Sequence, residues 1–271
     1  MHNRSINKLS HKLQSKKNTK LINYDSPLLE KIIRAHPLIY IIVRFFIRYT
    51  NIFEKDFDGL KLLNFDEKMN ILDVGASDGI AAKFFNNNLN TGTIFCFEPN
   101  NVYIKILKKI NIKNVVIKPF AIGNQNTHTN IMYPRYKFFN KFYDIITYTF
   151  YDIKFLRHFL LDFKFRKNIT IAKKKLLMKK VDKFKKKIHL IKIDTNGFEL
   201  SVIKSLISTI KKDKPALIIE DNVQRKNIYK ILKKYSYKPF YYSVSLKKFT
   251  TKKTRYSLNK YYLQSNHLKN I

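Results

Sequence analysis

The sequence is poor in cysteine and in acidic residues. Its single cysteine, Cys96, excludes an internal disulfide framework and suits a reducing compartment. Seven scattered histidines and this cysteine form no CxxC or HExxH pattern, so no metal site is predicted from them. Asp and Glu number 19 against 54 Lys and Arg, a formal net charge of +35. Such a surface attracts nucleic acid or anionic lipid head groups, although AT-rich codons would also enrich lysine.

The sequence also lacks an apolar run of the roughly 20 residues that span a bilayer. Residues 1–20 are basic and polar, without the apolar segment of a secretory signal. The most hydrophobic early segment, residues 36–53, is interrupted by Arg44 and Arg48. As a helix it would pack on the main domain or lie in a membrane interface. We therefore expect a cytoplasmic protein, with peripheral contact to the inner, anionic face of the membrane as the alternative.

Short apolar strands alternate with amphipathic helical segments from residue 69 onward. This alternation predicts an α/β fold, with a mostly parallel sheet covered by helices on both faces. We predict an N-terminal extension with an apolar helix over residues 1–60 and a main domain over residues 61–271. An insertion over residues 131–185, rich in aromatics and then in lysine, is predicted to be a helical pair. A substrate lid or a membrane-facing surface is its functional alternative.

Carboxylates stand at the ends of several predicted strands. Asp73 and Glu98 end the first two strands. Asp194 ends a later strand, and Glu220 and Asp221 end the next. Ligands of parallel sheets bind beyond the carboxyl ends of the strands. Because a core needs no carboxylates there, their clustering predicts a binding site.

The glycine turn after the first strand, DVGASDG, does not fit a dinucleotide site. Counted from Gly75, the second and third positions of GxGxxG are Ser77 and Ile80. Asp78 would also stand at the helix N-terminus, where it would repel a pyrophosphate. The nucleoside triphosphate pattern GxxxxGK[ST] does not occur either. The turn therefore disfavours both kinds of nucleotide.

S-adenosylmethionine (SAM) suits the same turn better. Its ammonium and sulfonium groups are cations, which Asp73 and Asp78 would attract. Glu98 ends the second strand, where an acid in nucleotide-binding sheets accepts the ribose hydroxyls. Gly75 and Gly79 allow the backbone to approach a ligand closely. Together these residues predict SAM as the cofactor.

The segments ILDVGASDG, FCFEPN, PFAIGN, IKIDTNGFELSVIKSL and ALIIEDN resemble successive motifs of the FkbM-type SAM-dependent methyltransferases, over roughly residues 70–240. The resemblance implies a Rossmann-like class I methyltransferase fold, with a seven-stranded, mostly parallel sheet whose last strand is antiparallel. It also implies O-methylation, commonly of sugar hydroxyls in polysaccharides, glycolipids or natural products. The cofactor-binding residues expected on this basis are Asp73, Gly75, Ala76, Ser77, Asp78, Gly79, Glu98, Pro99, Asn100 and Ala121.

Two positions depart from the family pattern. Asn196 stands where the family signature K-I-D-V-E-G-x-E usually has its first Glu, and Asp78 follows Ser77 where Asn-Ile-Gly is common. If the family Glu is catalytic, the methyltransferase activity of this protein would be reduced. If it only shapes the turn, the change is mild, because Asn tolerates left-handed backbone geometry.

Asp194 is the predicted catalytic residue, which orients or deprotonates the acceptor hydroxyl. Glu199 is the second candidate. The structural alternatives are a helix cap for Asp194 and a favourable interaction with the helix N-terminus for Glu199. A rival hypothesis has Asp194, Asp221 and Asn222 hold Mg²⁺, as catechol-type O-methyltransferases do. The resemblance disfavours it, because the FkbM family is not generally regarded as metal-dependent.

Two other functions compete with sugar O-methylation. The positive charge suggests an RNA methyltransferase. However, the sequence has no [DN]PP[YFW] motif for amine methylation, and its lone cysteine argues against cysteine-assisted base methylation. The other alternative is a membrane-associated SAM-binding protein with weak turnover. The expected acceptor is a small molecule, a glycan or a glycolipid, and nucleic acid is the less favoured partner.

Overall fold

The computed structural model describes residues 37–268, except residues 51, 66, 111, 147, 152, 161–165 and 182. The basic beginning of the predicted extension, residues 1–36, lies outside the described residues. The helices are α1 (Pro37–Tyr49), α2 (Ile80–Asn88), α3 (Asn101–Leu107), α4 (Ile153–Leu160), α5 (Glu199–Ser205), α6 (Ile207–Asp213) and α7 (Arg225–Leu232). No helix in this part of the chain is both long enough and apolar enough to span a membrane.

The strands are β1 (Met69–Val74), β2 (Thr91–Phe97), β3 (Val115–Lys118), β4 (Ala121–Ile122), β5 (Thr127–Phe138), β6 (Lys141–Asp144), β7 (Ile169–Lys179), β8 (Leu190–Ile193), β9 (Ala216–Glu220), β10 (Lys238–Ser243), β11 (Lys248–Thr250) and β12 (Asn259–Leu263). Eight of them form the main sheet, in the order β11-β10-β12-β9-β8-β1-β2-β3.

The main sheet confirms the predicted class I methyltransferase fold. Strands β3, β2, β1, β8 and β9 are parallel neighbours. The last strand, β12, is antiparallel to both of its neighbours, β9 and β10. The sheet has one strand more than the seven expected. The additional strand is β11, which has three residues and forms a hairpin with β10.

Helices cover the central strands on both faces. Side chains alternate along a strand, so successive residues belong to opposite faces. Ile71 and Leu190 belong to a core cluster that includes residues of α2, whereas Leu72 and Ile191 belong to another that includes residues of α5, α6 and α7. Burial on both faces explains why these strands read as continuous apolar runs. Cys96 is free and buried in the first cluster, as its apolar neighbours in the sequence indicate.

The chain before β1 is part of the main core. A 3₁₀ helix, residues 55–62, contributes the buried side chains of Phe57 and Leu60. Its Asp56 is fully buried and accepts hydrogen bonds from the backbone N–H groups of Leu258 (2.9 Å) and Asn259 (2.8 Å). The predicted domain boundary at residue 60 falls inside this 3₁₀ helix. Helix α1 precedes it, as predicted for the extension.

The prediction that the insertion is a helical pair is wrong. Strands β5, β6 and β7 form most of it, in a second sheet of order β4-β7-β5-β6, and α4 is its helix among the described residues. The first part of the lysine-rich stretch belongs to β7, where exposed Lys175, Leu177 and Lys179 alternate with buried Leu176 and Met178. This period of two is that of a strand. Aromatic and β-branched residues, which are frequent here, also suit strands.

Candidate active site

The turn after β1 is a tight left-handed loop packed against the end of β8. Gly75, Ser77 and Gly79 have φ angles of 82°, 49° and 80°. The amides of Gly75 and Ala76 both donate to the Phe97 carbonyl, at 3.0 and 3.2 Å. A Cβ atom on Gly75 would lie 1.8 Å from the Asp194 carbonyl oxygen. Glycine is therefore required here both by the backbone angle and by the close approach.

Asp73, in β1, is a buried carboxylate without hydrogen bonds. Its exposure is 0%, and neither carboxylate oxygen has a hydrogen-bond partner. Burial raises its pKa, and the ammonium of Lys192, 3.5 Å from Oδ1, only partly offsets that rise. A buried carboxylate whose oxygens accept no hydrogen bond is costly even beside one cation. A cationic ligand at the end of β1 would remove part of this cost.

Glu98 follows β2 and is held by two backbone amides. Its Oε2 accepts from Ser77 N at 2.9 Å, and its Oε1 accepts from Asn100 N at 2.7 Å. Each oxygen keeps a second lone pair, which could accept a ribose hydroxyl. Burial raises the pKa of Glu98 to about 7, although the two amides act in the opposite direction. Glu98 is therefore partly protonated near neutral pH.

Asp78, the other acid of the glycine turn, is 1% exposed and contacts the N-terminal helix. The guanidinium Nε of Arg48, in α1, donates to Asp78 Oδ2 at 3.1 Å. Lys83 of α2 donates to the Thr50 carbonyl at 2.9 Å, just after α1 ends. The end of α1 is thus fixed beside the turn that is predicted to bind the cofactor.

Lys192 is a site residue that the sequence analysis missed. It lies in β8, is 4% exposed, and places Nζ 3.5 Å from both Asp73 Oδ1 and Asp194 Oδ2. Burial disfavours its charge, but the carboxylates of Asp194 and Asp73 outweigh this effect and raise its pKa. The ammonium therefore remains charged between the two acids. A lysine inside the buried run HLIKI could have been recognised as exceptional.

Asp194 lies next to the glycine turn. Its backbone N–H donates to the Val74 carbonyl at 3.0 Å, and its side chain is 33% exposed. It does not cap the following helix, because α5 begins at Glu199 with Phe198 in the N-cap position. The helix-cap alternative is therefore wrong.

Glu199 organises the turn between β8 and α5. It is fully buried and accepts hydrogen bonds from the backbone N–H groups of Thr195 and Gly197, both at 3.0 Å, and from the side chain of Asn222. Asn196 in this turn has a φ of 52°, the left-handed geometry that asparagine tolerates. This geometry favours the milder interpretation of the family departure at Asn196. A catalytic role for Glu199 stays a prediction.

The acids at the strand ends do come together. Glu220, at the end of β9, has a pKa well above its usual value because it is buried and because Asp194, Glu199 and Glu54 add negative charge nearby. Glu54 comes from the segment before the 3₁₀ helix and accepts from Asn259 Nδ2 at 2.7 Å. Asp194 and Glu220 thus lie near each other, and their role in a binding site stays a prediction.

The residues of the magnesium hypothesis are engaged elsewhere. Asp221 pairs with Lys253 at 2.9 Å and accepts from the Tyr241 hydroxyl at 3.1 Å. Asn222 donates to Glu199. Among the described residues, no group of three or more His, Cys, Asp or Glu could hold a metal ion. The magnesium hypothesis for Asp194, Asp221 and Asn222 stays a prediction.

The insertion adjoins the site from the other side. The ring of Tyr151 stacks on Phe198, with 4.5 Å between centroids. Burial and the negative charges of Glu98 and Glu199 raise the pKa of the Tyr151 hydroxyl, so Tyr151 lies near both acids. Lys174 of β7 donates to the Asn100 side chain at 3.0 Å. Sequence reasoning missed Tyr151, because its contacts join segments far apart in the chain.

The predicted positions Pro99 and Ala121 lie at the edge of this region. Pro99 stands between Glu98 and Asn100, whose side chain accepts from Val102 N at 3.1 Å and caps α3. Ala121 belongs to β4 and pairs with Met178 of β7. Both positions therefore lie where the main sheet meets the insertion.

One family model and several solved structures are similar to this chain. The family model described as Methyltransferase FkbM domain matches residues 73–239, more than half of the chain. No curated protein matches. Among solved structures, methyltransferase FkbM from Methylobacillus flagellatus KT is 14% identical with a TM-score of 0.43, over 87% of this chain and 58% of that one. The chain thus spans less than two thirds of that protein's length.

Two other solved structures contain S-adenosyl-homocysteine. TrmK from M. capricolum is 12% identical with a TM-score of 0.38, over 82% of this chain and 73% of that one. Human methyltransferase-like protein 13 is 10% identical with a TM-score of 0.39, over 79% of this chain and 83% of that one.

Proposed function

Because the chain belongs to the FkbM family of SAM-dependent methyltransferases, we propose that it methylates a hydroxyl of a sugar, in a polysaccharide, glycolipid or related metabolite. The observation that carries the proposal is the group of acids around the glycine turn. Asp73 is buried without a hydrogen bond, and Glu98 is held by backbone amides with lone pairs to spare. Asp194 is about one-third exposed beside the same turn.

These residues fit SAM. The Glu98 carboxylate would accept the ribose hydroxyls, and Asp73 and Asp78 would attract the cationic methionyl part. The left-handed turn from Gly75 to Gly79, with Ala76 and Ser77, would approach the ligand through its backbone. Pro99, Asn100 and Ala121 would complete the edge of the pocket. When bound, the cofactor supplies an electrophilic methyl group on a sulfonium.

Asp194 would act on the acceptor. The Asp194 carboxylate would orient the acceptor hydroxyl and take its proton as the oxygen receives the methyl group that the sulfonium would supply. Lys192, 3.5 Å from Asp194 Oδ2, would hold that carboxylate in position. Positioning of the reactants contributes roughly 7–11 kcal/mol, whereas a general base contributes about 3–5 kcal/mol. Loss of Asp194 should therefore slow turnover without abolishing it.

The direct test compares Asp194→Asn with the wild type. We expect turnover to fall about 100-fold or more while affinity for S-adenosyl-homocysteine changes little. Formation of S-adenosyl-homocysteine from SAM measures turnover, and isothermal titration calorimetry measures affinity. Asp58→Asn is the matched control, because Asp58 is a surface acid paired with Lys61. Wild-type turnover in Asp194→Asn would remove Asp194 from the mechanism.

The acceptor class has its own test. Mass spectrometry of glycans and glycolipids from cells lacking the gene should show the loss of one methyl ether, restored by the wild-type gene but not by Asp194→Asn. Unchanged glycans together with a lost methyl group on RNA would replace the sugar by a nucleic acid.

RNA is the second candidate acceptor, because the formal net charge is +35. If RNA is the substrate, binding should weaken steeply and log-linearly with salt concentration, as phosphate contacts release counterions. A filter-binding titration of the whole chain measures that slope. Weak binding without a steep slope would leave the sugar as the better acceptor.

A further inference from the structure

We propose that the protein docks on an anionic lipid surface through two exposed apolar patches. The first patch, the aromatic tip, is the β5–β6 hairpin end, residues 137–142. The second, the α1 face, consists of Ile39, Ile42, Phe45, Phe46 and Tyr49. The inference concerns where the enzyme works and does not depend on which hydroxyl accepts the methyl group.

The aromatic tip exposes phenylalanines where a hairpin end is normally polar. Phe139 is 83% exposed and Phe142 is 59% exposed. Phe139 also has a φ of 50°, a left-handed angle that is uncommon for a bulky residue. Lys137 and Lys141 flank the rings and are exposed. Aromatic rings beside lysines suit the boundary between lipid head groups and acyl chains.

The α1 face is a continuous apolar stripe. Its five residues recur three or four positions apart, which places them on one side of the helix. Their exposures run from 44% for Ile39 to 74% for Tyr49. Elsewhere the helix is attached to the protein, since Arg48 bonds Asp78. A helix held in place with its apolar face outward is suited to lie in a membrane interface.

The two patches are attached to the same small core. Leu38, in the first turn of α1, packs against a cluster that contains Tyr136 of β5 and Ile145, which follows β6. These two residues flank the hairpin whose end is the aromatic tip. The helix and the hairpin are therefore linked through one packed cluster, so a single surface could engage both.

Charge complementarity selects anionic lipid as the occupant. The chain carries a formal net charge of +35, and lysines flank the aromatic tip. Stable peripheral binding usually needs two contributions, apolar insertion and a basic patch, and this protein offers both. Single-stranded RNA would use the charge and could stack on phenylalanines. It has no comparable use for the exposed aliphatic side chains of Ile39 and Ile42, which favours lipid.

The test is sedimentation of the full chain with vesicles, in the absence of SAM. Vesicles rich in phosphatidylglycerol should bind the wild type, whereas pure phosphatidylcholine vesicles should bind it at least about tenfold more weakly. The double variant Phe139→Ser/Phe142→Ser should lose about tenfold or more in binding to the anionic vesicles. A Phe46→Ser/Tyr49→Ser variant should lose binding in the same direction. Leu246→Ser is the matched control, because Leu246 is 60% exposed between β10 and β11.

Three results would overturn the proposal. In the first, both double variants bind anionic vesicles as the wild type does, while circular dichroism and S-adenosyl-homocysteine affinity show that they are folded. In the second, the wild type forms a concentration-dependent dimer that Phe139→Ser/Phe142→Ser abolishes, which makes a second copy the occupant. In the third, the variants lose affinity for RNA but not for vesicles. Methyl transfer to a soluble acceptor should be unchanged in the variants, so this proposal and the proposed function can fail separately.

Discussion

The pKa of Glu98 leads to a quantitative prediction about cofactor affinity. The carboxylate must be ionised to accept both ribose hydroxyls, so a proton on Glu98 competes with the ligand. Its pKa without ligand is raised to about 7, chiefly by burial. At pH 6 roughly a tenth of the molecules carry the ionised form, and at pH 8 roughly nine tenths do. Affinity for S-adenosyl-homocysteine should therefore rise about tenfold over this interval, or about 1.4 kcal/mol.

Isothermal titration calorimetry at the two pH values measures this change. At pH 7 binding should also release about half a proton, which titrations in buffers of different ionisation enthalpy detect. Glu98→Gln is the matched variant, because it keeps the shape but cannot titrate. It should bind more weakly at pH 8 and show little dependence on pH. An affinity that does not change with pH in the wild type, or the same dependence in Glu98→Gln, would refute the reasoning.

Further predictions concern the turns, the buried lysine and a buried acid. Gly75→Ala should destabilise the protein by about 3 kcal/mol or more, because the added Cβ would meet the Asp194 carbonyl. Gly197 also has a positive φ but has open space around it, so Gly197→Ala should destabilise the protein by about 1–2 kcal/mol. Equal melting temperatures of the two variants would contradict this. Lys192→Met should lower turnover and raise the pKa of Asp73 further, because the ammonium no longer offsets the effect of burial. Unchanged turnover would remove Lys192 from the site. Burial raises the pKa of Asp56 from its usual value of 3.8 to about 7 in the folded protein. Its contribution to stability should therefore be present below about pH 4 and lost as the pH rises through 7. Asp56→Asn should flatten that fall in denaturant titrations between about pH 4 and pH 7, and a curve as steep as the wild type's would disprove it.

The sequence was sufficient to predict the main sheet and to predict that Asp73, Asp194 and the glycine turn lie together at one edge of it. Buried parallel strands read as apolar runs, and a carboxylate at the end of such a run is conspicuous, as with Asp73, Glu98 and Asp194. The glycine turn was also predictable, because Gly75 follows a strand and the chain must turn there before the next helix. These features depend on neighbours within a few residues.

The remaining features depend on contacts between distant segments. Glu199 accepts from Asn222, which lies beyond a helix pair and a strand. The ring of Tyr151 stacks on Phe198, and β7 and β8 lie between these two residues in the chain. The insertion itself was mispredicted because its aromatics are dense enough to suit a helical stripe as well as a strand. Pairing of β5 with β7 makes this segment a strand and not a helix, and no local sequence pattern specifies that pairing.

A crystal structure with S-adenosyl-homocysteine bound would show whether the glycine turn and Glu98 hold the cofactor. We expect both ribose hydroxyls within hydrogen-bond distance of the Glu98 carboxylate, and the sulfur atom facing the side chain of Asp194. A ligand bound elsewhere, or a Glu98 carboxylate turned away from the ribose, would contradict it.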